Sequence, residues 1–221
     1  MSELLGILLH INDHLDTWIG QYGSFIYIIL FAIIFVETGL VVMPFLPGDS
    51  LLFAAGALCA RMSGETDPAL SLIPMILLLS SAAILGDHSN YLIGRYAGTK
   101  ILSLSWKGKR IVQQKYVTQT EQFFEKYGTK AIVLARFVPI VRTFTPFVAG
   151  VGKMDYRKKF MPYDIFGGVL WISSMSIAGY ALGSHEWVKK HFEAVVIGII
   201  LLSITPMIFA YIKHRFNRSK S

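Results

Sequence analysis

Four ionisable residues stand inside stretches of almost wholly apolar sequence. Glu37 and Asp49 lie in VETGLVVMPFLPGDSLLFAAGAL (36–58), and Arg136 and Arg142 lie in ARFVPIVRTFTPFVAG (135–150). A charge at the centre of a bilayer costs about 2.5–3.5 kcal/mol on insertion scales, so four without compensation would cost on the order of 10 kcal/mol. That is comparable to the whole stability of a domain. The four must pair with one another, face water, or meet a charged ligand. A guanidinium stays charged at any physiological pH and grips phosphate through a planar fork, so Arg136 and Arg142 are candidate phosphate ligands. They would lie about 240° apart on a straight helix, and Pro139 between them permits a bend toward one ligand. Carboxyls can exchange protons, so Glu37 and Asp49 are candidate proton-coupling groups. The competing reading is that all four form structural salt bridges within a helix bundle.

The breakers around these residues say how such groups are tolerated. Pro44, Pro47 and Gly48 are expected to stop the first segment, and Pro139 and Pro146 to interrupt the second. Backbone groups freed in this way need a protein-lined or watery cavity. A second polar cluster, GDHSNYLIGRYAG (86–98), offers Asp87 and Asn90 as cavity-lining or helix-packing residues, with His88 read as interfacial rather than as a proton relay. The polar positions contain no nucleophile-plus-base arrangement and no metal-ligand cluster, so neither an enzyme nor a cofactor or metal site is expected. Cys59 is the only cysteine, which removes intrachain disulfides and thiolate clusters.

The composition supplies the elements that hold these groups. The chain has 221 residues, 53% hydrophobic and 16% charged, with a mean hydropathy of +0.52. Soluble domains carry about 25% charge, so this reads as an all-α polytopic membrane protein in a single domain. The segments are a short interfacial helix at 1–23, a broken apolar hairpin at 24–60, a crossing at 70–94, and a basic loop with an amphipathic helix at 95–130. A second broken hairpin follows at 131–152, then crossings at 160–183 and 194–212, and a basic tail at 213–221. The first broken segment is too short for two spans and the second lies between two basic segments assigned to one side, so each is expected to enter and leave on one side. That gives two opposed re-entrant hairpins and about three full crossings. No basic n-region opens the chain, so no cleaved leader is expected.

Lys and Arg orient the whole. None occurs before Arg61, while eight lie between Arg95 and Lys130 and more in KMDYRKK (153–159) and the tail. The positive-inside rule puts those segments and the C-terminus in the cytoplasm and the N-terminus outside, in the periplasm. The net charge of +7 is therefore assigned to anionic lipid rather than to nucleic acid. A weak repeat is also visible. FAAG (53–56) matches FVAG (147–150), and Gly94-x3-Gly98 matches Gly179-x3-Gly183, glycine spacings that permit close helix packing. With opposed hairpins this describes an inverted repeat, an architecture of secondary transporters.

At FVETGLVVMPFLPGDSLLFAAGAL, GDHSNYLIGRYAG and ARFVPIVRTFTPFVAG the chain resembles the bacterial DedA family of inner-membrane proteins, over nearly its whole length. The combination of E-x11-D with P-G-D, and R-F-x-P-x-x-R-x-x-x-P-x-x-A-G, carries the likeness. The resemblance implies relation to the eukaryotic VTT-domain scramblases. It also implies proton- or potential-dependent transport and recycling of lipid carriers, including undecaprenyl phosphate flipping. Glu37, Asp49, Arg136 and Arg142 match the acids and arginines the family requires, without departure. The expected partners are membrane lipids, a phosphate-headed lipid substrate (undecaprenyl phosphate, or a phospholipid such as phosphatidylethanolamine) and protons; self-association into a homo-oligomer is left open. A proton-coupled small-ion or drug antiporter is the alternative, with a lipid-phosphate enzyme behind it.

Overall fold

The fold is that of a computed structural model, which describes residues 11–40, 48–63, 70–103, 105–106, 109–110, 114–186 and 188. It is helical almost throughout. Helix α1 spans Ile11–Gly39, α2 Gly48–Met62 and α3 Leu72–Ser103. A short antiparallel ladder follows, pairing β1 (Ser105–Trp106) with β2 (Lys109–Arg110). Helix α4 covers Gln114–Tyr127, a 3-10 turn Gly128–Lys130, α5 Ala131–Ala135 and α6 Pro139–Val151. A π-helical turn at Tyr156–Phe160 leads into α7, Met161–Gly183.

Two helical stretches, Leu72–Ser103 and Tyr156–Gly183, are long and apolar enough to cross a membrane. They correspond to the crossings expected at 70–94 and 160–183. The third expected crossing, 194–212, the tail 213–221, and the breakers Pro44 and Pro47 lie outside the described residues.

Three boundaries differ from expectation. Helix α1 runs unbroken through the expected division between 23 and 24. The interrupted apolar pattern of 1–23 suggested that division, but polar residues and glycines inside a helix keep its backbone hydrogen bonds, an interior glycine costing only about 1 kcal/mol. Helix α3 continues past 94 to Ser103, with Lys100 in its last turn, where a cation suits the helix dipole. Pro146, expected as a break, sits inside α6, which continues through it to Val151. A proline's fixed φ is compatible with a helix; what it removes is one donor, here to the Arg142 carbonyl. Pro139, by contrast, acts as expected. It holds Val138 extended (φ −119°, ψ 100°) and opens α6 at its first position. Gly48 likewise stands at a boundary, as the first residue of α2.

The described residues divide into two compact units. One combines the beginning of α1, α2 and the end of α7 from Met175. The other combines α1 from Leu30, α3 from Ile76, α4 to α6, and α7 up to Ser174. In the second unit the amphipathic α4 turns Val117 inward onto Phe144, Phe147 and Val148 of α6, and Tyr116 packs on Phe144 with ring centroids 5.4 Å apart.

The sequence repeat becomes concrete in the packing inside each unit. In the first, a Cβ on Gly179 would strike the Phe53 carbonyl, one on Gly56 the Ser176 carbonyl, and one on Gly183 the backbone of Ala57. In the second, a Cβ on Gly94 would strike the Phe147 carbonyl, one on Gly150 the Tyr91 carbonyl, and one on Gly98 the Val151 side chain. The register is the same in both. Position for position, the FxAG helix meets the GxxxG helix in one way. Each FxAG helix meets the GxxxG helix of the other half of the chain, so the two repeats exchange partners. Backbones this close admit no side chain, and overpacking costs about 1–3 kcal/mol or more. Gly94→Val and Gly179→Val should therefore each lower the midpoint of thermal unfolding in detergent by several degrees. An unchanged midpoint for both would show that the helices do not touch here.

Candidate functional site

The site grows from the break between α5 and α6. Arg136 caps the end of α5, where its backbone N–H bonds to Val133 O at 3.2 Å. Val138 and Pro139 then redirect the chain, and Arg142 falls one turn into α6, its N–H bonded to Val138 O at 2.9 Å. Both side chains are buried, at 3% and 7% exposure. The bend expected at Pro139 does bring both arginines to one narrow crevice, which they line with Asp164, Thr145 and Pro146 and which is too tight to admit a water molecule.

Each arginine meets carboxylate. Arg136 Nη2 lies 2.5 Å from Asp87 Oδ2 and 2.6 Å from Asp164 Oδ1. Arg142 Nη2 donates to Glu37 Oε1 at 2.8 Å, and its guanidinium lies over the ring of the fully buried Trp171, 4.4 Å from the centroid. All three acids are under 5% exposed. Asn90, also buried, ties the surrounding backbone together. Its Nδ2 donates to Thr38 O at 3.1 Å and to Thr143 O at 3.0 Å, the residues next to Glu37 and Arg142. Thr38 adds a bond from its hydroxyl to Ile34 O at 2.9 Å, and a Cβ on Gly86 would strike that hydroxyl. Asn90 thus clamps the two helices that carry this ion pair.

Of the residues expected to act together, Glu37, Arg136, Arg142, Asp87 and Asn90 converge in one unit. Asp49 belongs to the other unit, in the first turn of α2, where an acid suits the helix N-terminus. Asp87 and Asn90, read only as cavity lining, turn out to be an ion-pair partner and a backbone clamp. Asp164 was missed. Its signal was available, as a lone acid in the first turn of an apolar span. Arg136 Nη1 is buried and has no hydrogen-bond partner among the described residues.

Helices that can cross a bilayer, carrying a buried cluster of ion-paired carboxylates and guanidiniums, define a polytopic membrane protein with a polar core. The comparisons with known proteins give that class its family. The VTT domain matches residues 46–181. Protein DedA of Escherichia coli is 46% identical over 212 residues, covering 96% of this chain and 94% of the relative. An uncharacterized membrane protein of Mycobacterium leprae is 42% identical over 196 residues, covering 87% and 84%. Inner membrane protein YghB of Escherichia coli is 35% identical over 181 residues, covering 82% and 78%. No solved structure matches the chain. The chain belongs to the DedA family of VTT-domain membrane proteins.

Proposed function

We propose that this chain is a transporter, not an enzyme, that moves a phosphate-headed lipid across the bacterial inner membrane in exchange for proton movement. The observation that carries the reading is the buried cluster itself. Among the described residues, Glu37, Asp87 and Asp164 face Arg136 and Arg142, one carboxylate more than guanidiniums. Taking up one proton makes the set neutral. A phosphate arriving at the arginines displaces carboxylate, and the displaced acid then needs a proton. Phosphate binding and proton uptake are thereby linked, and linkage is reciprocal. Arg136 Nη1 supplies a buried donor for a phosphate oxygen. The closed crevice fits an occluded arrangement in an alternating-access cycle. Segments 24–60 and 131–152 are read as the two opposed hairpins of an inverted repeat, the first broken between Gly39 and Gly48, the second at 136–138. The similarity to inner membrane protein YghB supports the inner membrane, and the basic loop and tail support a cytoplasmic C-terminus.

The carboxylate excess also suits proton-coupled antiport of a small cation, and the test separates the two. Proteoliposomes are given labelled undecaprenyl phosphate, labelled phosphatidylethanolamine or a small cation, with and without a pH gradient. Gradient-driven movement of a phosphate lipid is expected, lost in Asp164→Asn and Glu37→Gln while Asp49→Asn reports the contribution of the other unit. Cation movement without lipid movement would hand the site to the antiporter reading.

A further inference from the structure

A second cavity, of about 560 Å³, lies apart from the arginine crevice, against α3 and the segment that joins α6 to the π-helical turn. Its volume falls within the range of small-molecule sites. Four cations line it, Arg95, Lys153, Arg157 and Lys158, together with three tyrosines and His88. The acid in the lining, Asp155, is already engaged, its Oδ1 accepting from the backbone N–H of Lys158 at 2.8 Å as the cap of the π-helical turn. Tyr91 is fixed by Arg95, whose Nη1 donates to its hydroxyl at 3.0 Å, and by its own bond to Met154 O at 2.5 Å. His88 stands edge-on to Tyr156 at 5.0 Å, with a buried Nδ1 that has no hydrogen-bond partner among the described residues.

The backbone at Lys153 is the second observation. Helix α6 ends in a left-handed cap: Lys153 N–H bonds to Gly150 O at 2.9 Å and Met154 N–H to Ala149 O at 3.0 Å. The residue at that position has φ 51°, where glycine is ordinarily preferred. Helix α4 does end on glycine, Gly128, at φ 58°. A lysine in this conformation is strained, and such strain clusters at ligand sites where the surrounding structure holds it in place. Here the side chain required is a cation at the cavity wall.

We propose that this cavity binds a phosphate group at the headgroup level of the membrane, as a site separate from the buried ion pairs. The two membrane-crossing stretches place it there, since Arg95 lies toward the end of α3 and Tyr156 opens the stretch that becomes α7. Four cations around a concave wall recognise phosphate by charge and by charge-assisted hydrogen bonds, and the hydroxyls of Tyr96 and Tyr156 in the lining add donors, that of Tyr91 being committed to Met154 O. The phosphate comes from an anionic phospholipid or from free phosphate. The site stands whether or not the chain transports lipid.

The test uses the full chain in neutral detergent, with dihexanoyl phosphatidic acid, inorganic phosphate and dihexanoyl phosphatidylcholine as probes in equilibrium binding and thermal unfolding. Phosphatidic acid should bind at least tenfold more tightly than phosphatidylcholine. Inorganic phosphate binding as well means that free phosphate also serves; its failure to bind makes the site a lipid one. Arg157→Gln with Lys158→Gln should weaken binding at least tenfold. Lys153→Gly relieves the strained backbone, so it should weaken binding severalfold while keeping or raising the unfolding midpoint. That variant keeps the test decisive should the double variant not fold. Binding of neither phosphate probe, or unchanged affinity in Lys153→Gly, overturns the proposal.

Discussion

Replacing Arg136 by alanine should cost about 3–5 kcal/mol of stability, the cost of breaking a buried ion pair by removing one partner. The effect belongs at the upper end because two carboxylates depend on one nitrogen. Arg136 Nη2 carries two hydrogens, and Asp87 and Asp164 lie 2.5 and 2.6 Å from it. Without the guanidinium, two acids face each other in a dry interior. Against a total stability of about 5–15 kcal/mol, that is enough to reduce the folded yield sharply. The measurement is the recovered monodisperse protein and its unfolding midpoint in detergent. Arg136→Ala combined with Asp87→Asn and Asp164→Asn should recover most of the stability, because the acids no longer need a counter-charge. It should not recover transport. A single alanine variant that unfolds like the parent would show that the acids are satisfied by something other than Arg136.

This expectation rests on Asp164, which shows where sequence reasoning stopped. The chemistry of Glu37, Arg136 and Arg142 was legible because a charge inside an apolar run is conspicuous. Asp164 sits at the end of such a run and was not. Partner choice was not legible at all: nothing in the spacing says that Arg142 meets Glu37 while Arg136 meets Asp87 and Asp164, since pairing depends on how distant helices pack. That packing was partly written in the glycines. FAAG, FVAG and the two GxxxG motifs were visible as a weak repeat, and in each unit they mark helix contacts too close to admit a side chain. What the repeat did not disclose is that the halves exchange partners, because a sequence alignment carries no contact information. Pro146 shows the limit of reading breakers one residue at a time. The close seat of Phe147 and Gly150 on α3 holds α6 together through it, whereas Pro139 holds Val138 extended and so ends the preceding turns and opens a new helix.

Arg142→Lys should lower transport about 100-fold while leaving the protein folded. The two functions of the side chain separate cleanly here. As a counter-charge it holds Glu37, at 2.8 Å, and a lysine can do that. As a planar group it lies on the Trp171 ring, 4.4 Å from the centroid, with its remaining donors held in a fixed fork. A lysine keeps the charge but loses the plane. The stacking is taken as about 1.4 kcal/mol, within the range for a desolvated cation–π pair, and the bidentate grip on phosphate that a point charge cannot make as about the same. A combined loss near 2.7 kcal/mol corresponds to about 100-fold. Trp171→Leu isolates the first of these. It removes the platform and keeps the guanidinium, so it should cost about tenfold in transport. Glu37→Gln isolates the competition for the arginine. A neutral amide holds Arg142 less firmly, so phosphate lipid should bind more tightly in that variant even as its movement ceases to respond to a pH gradient. Binding and gradient-driven transport must therefore move in opposite directions in Glu37→Gln and fall together in Arg142→Lys. Full transport by the lysine variant would reduce Arg142 to a simple counter-charge and take the phosphate off this residue.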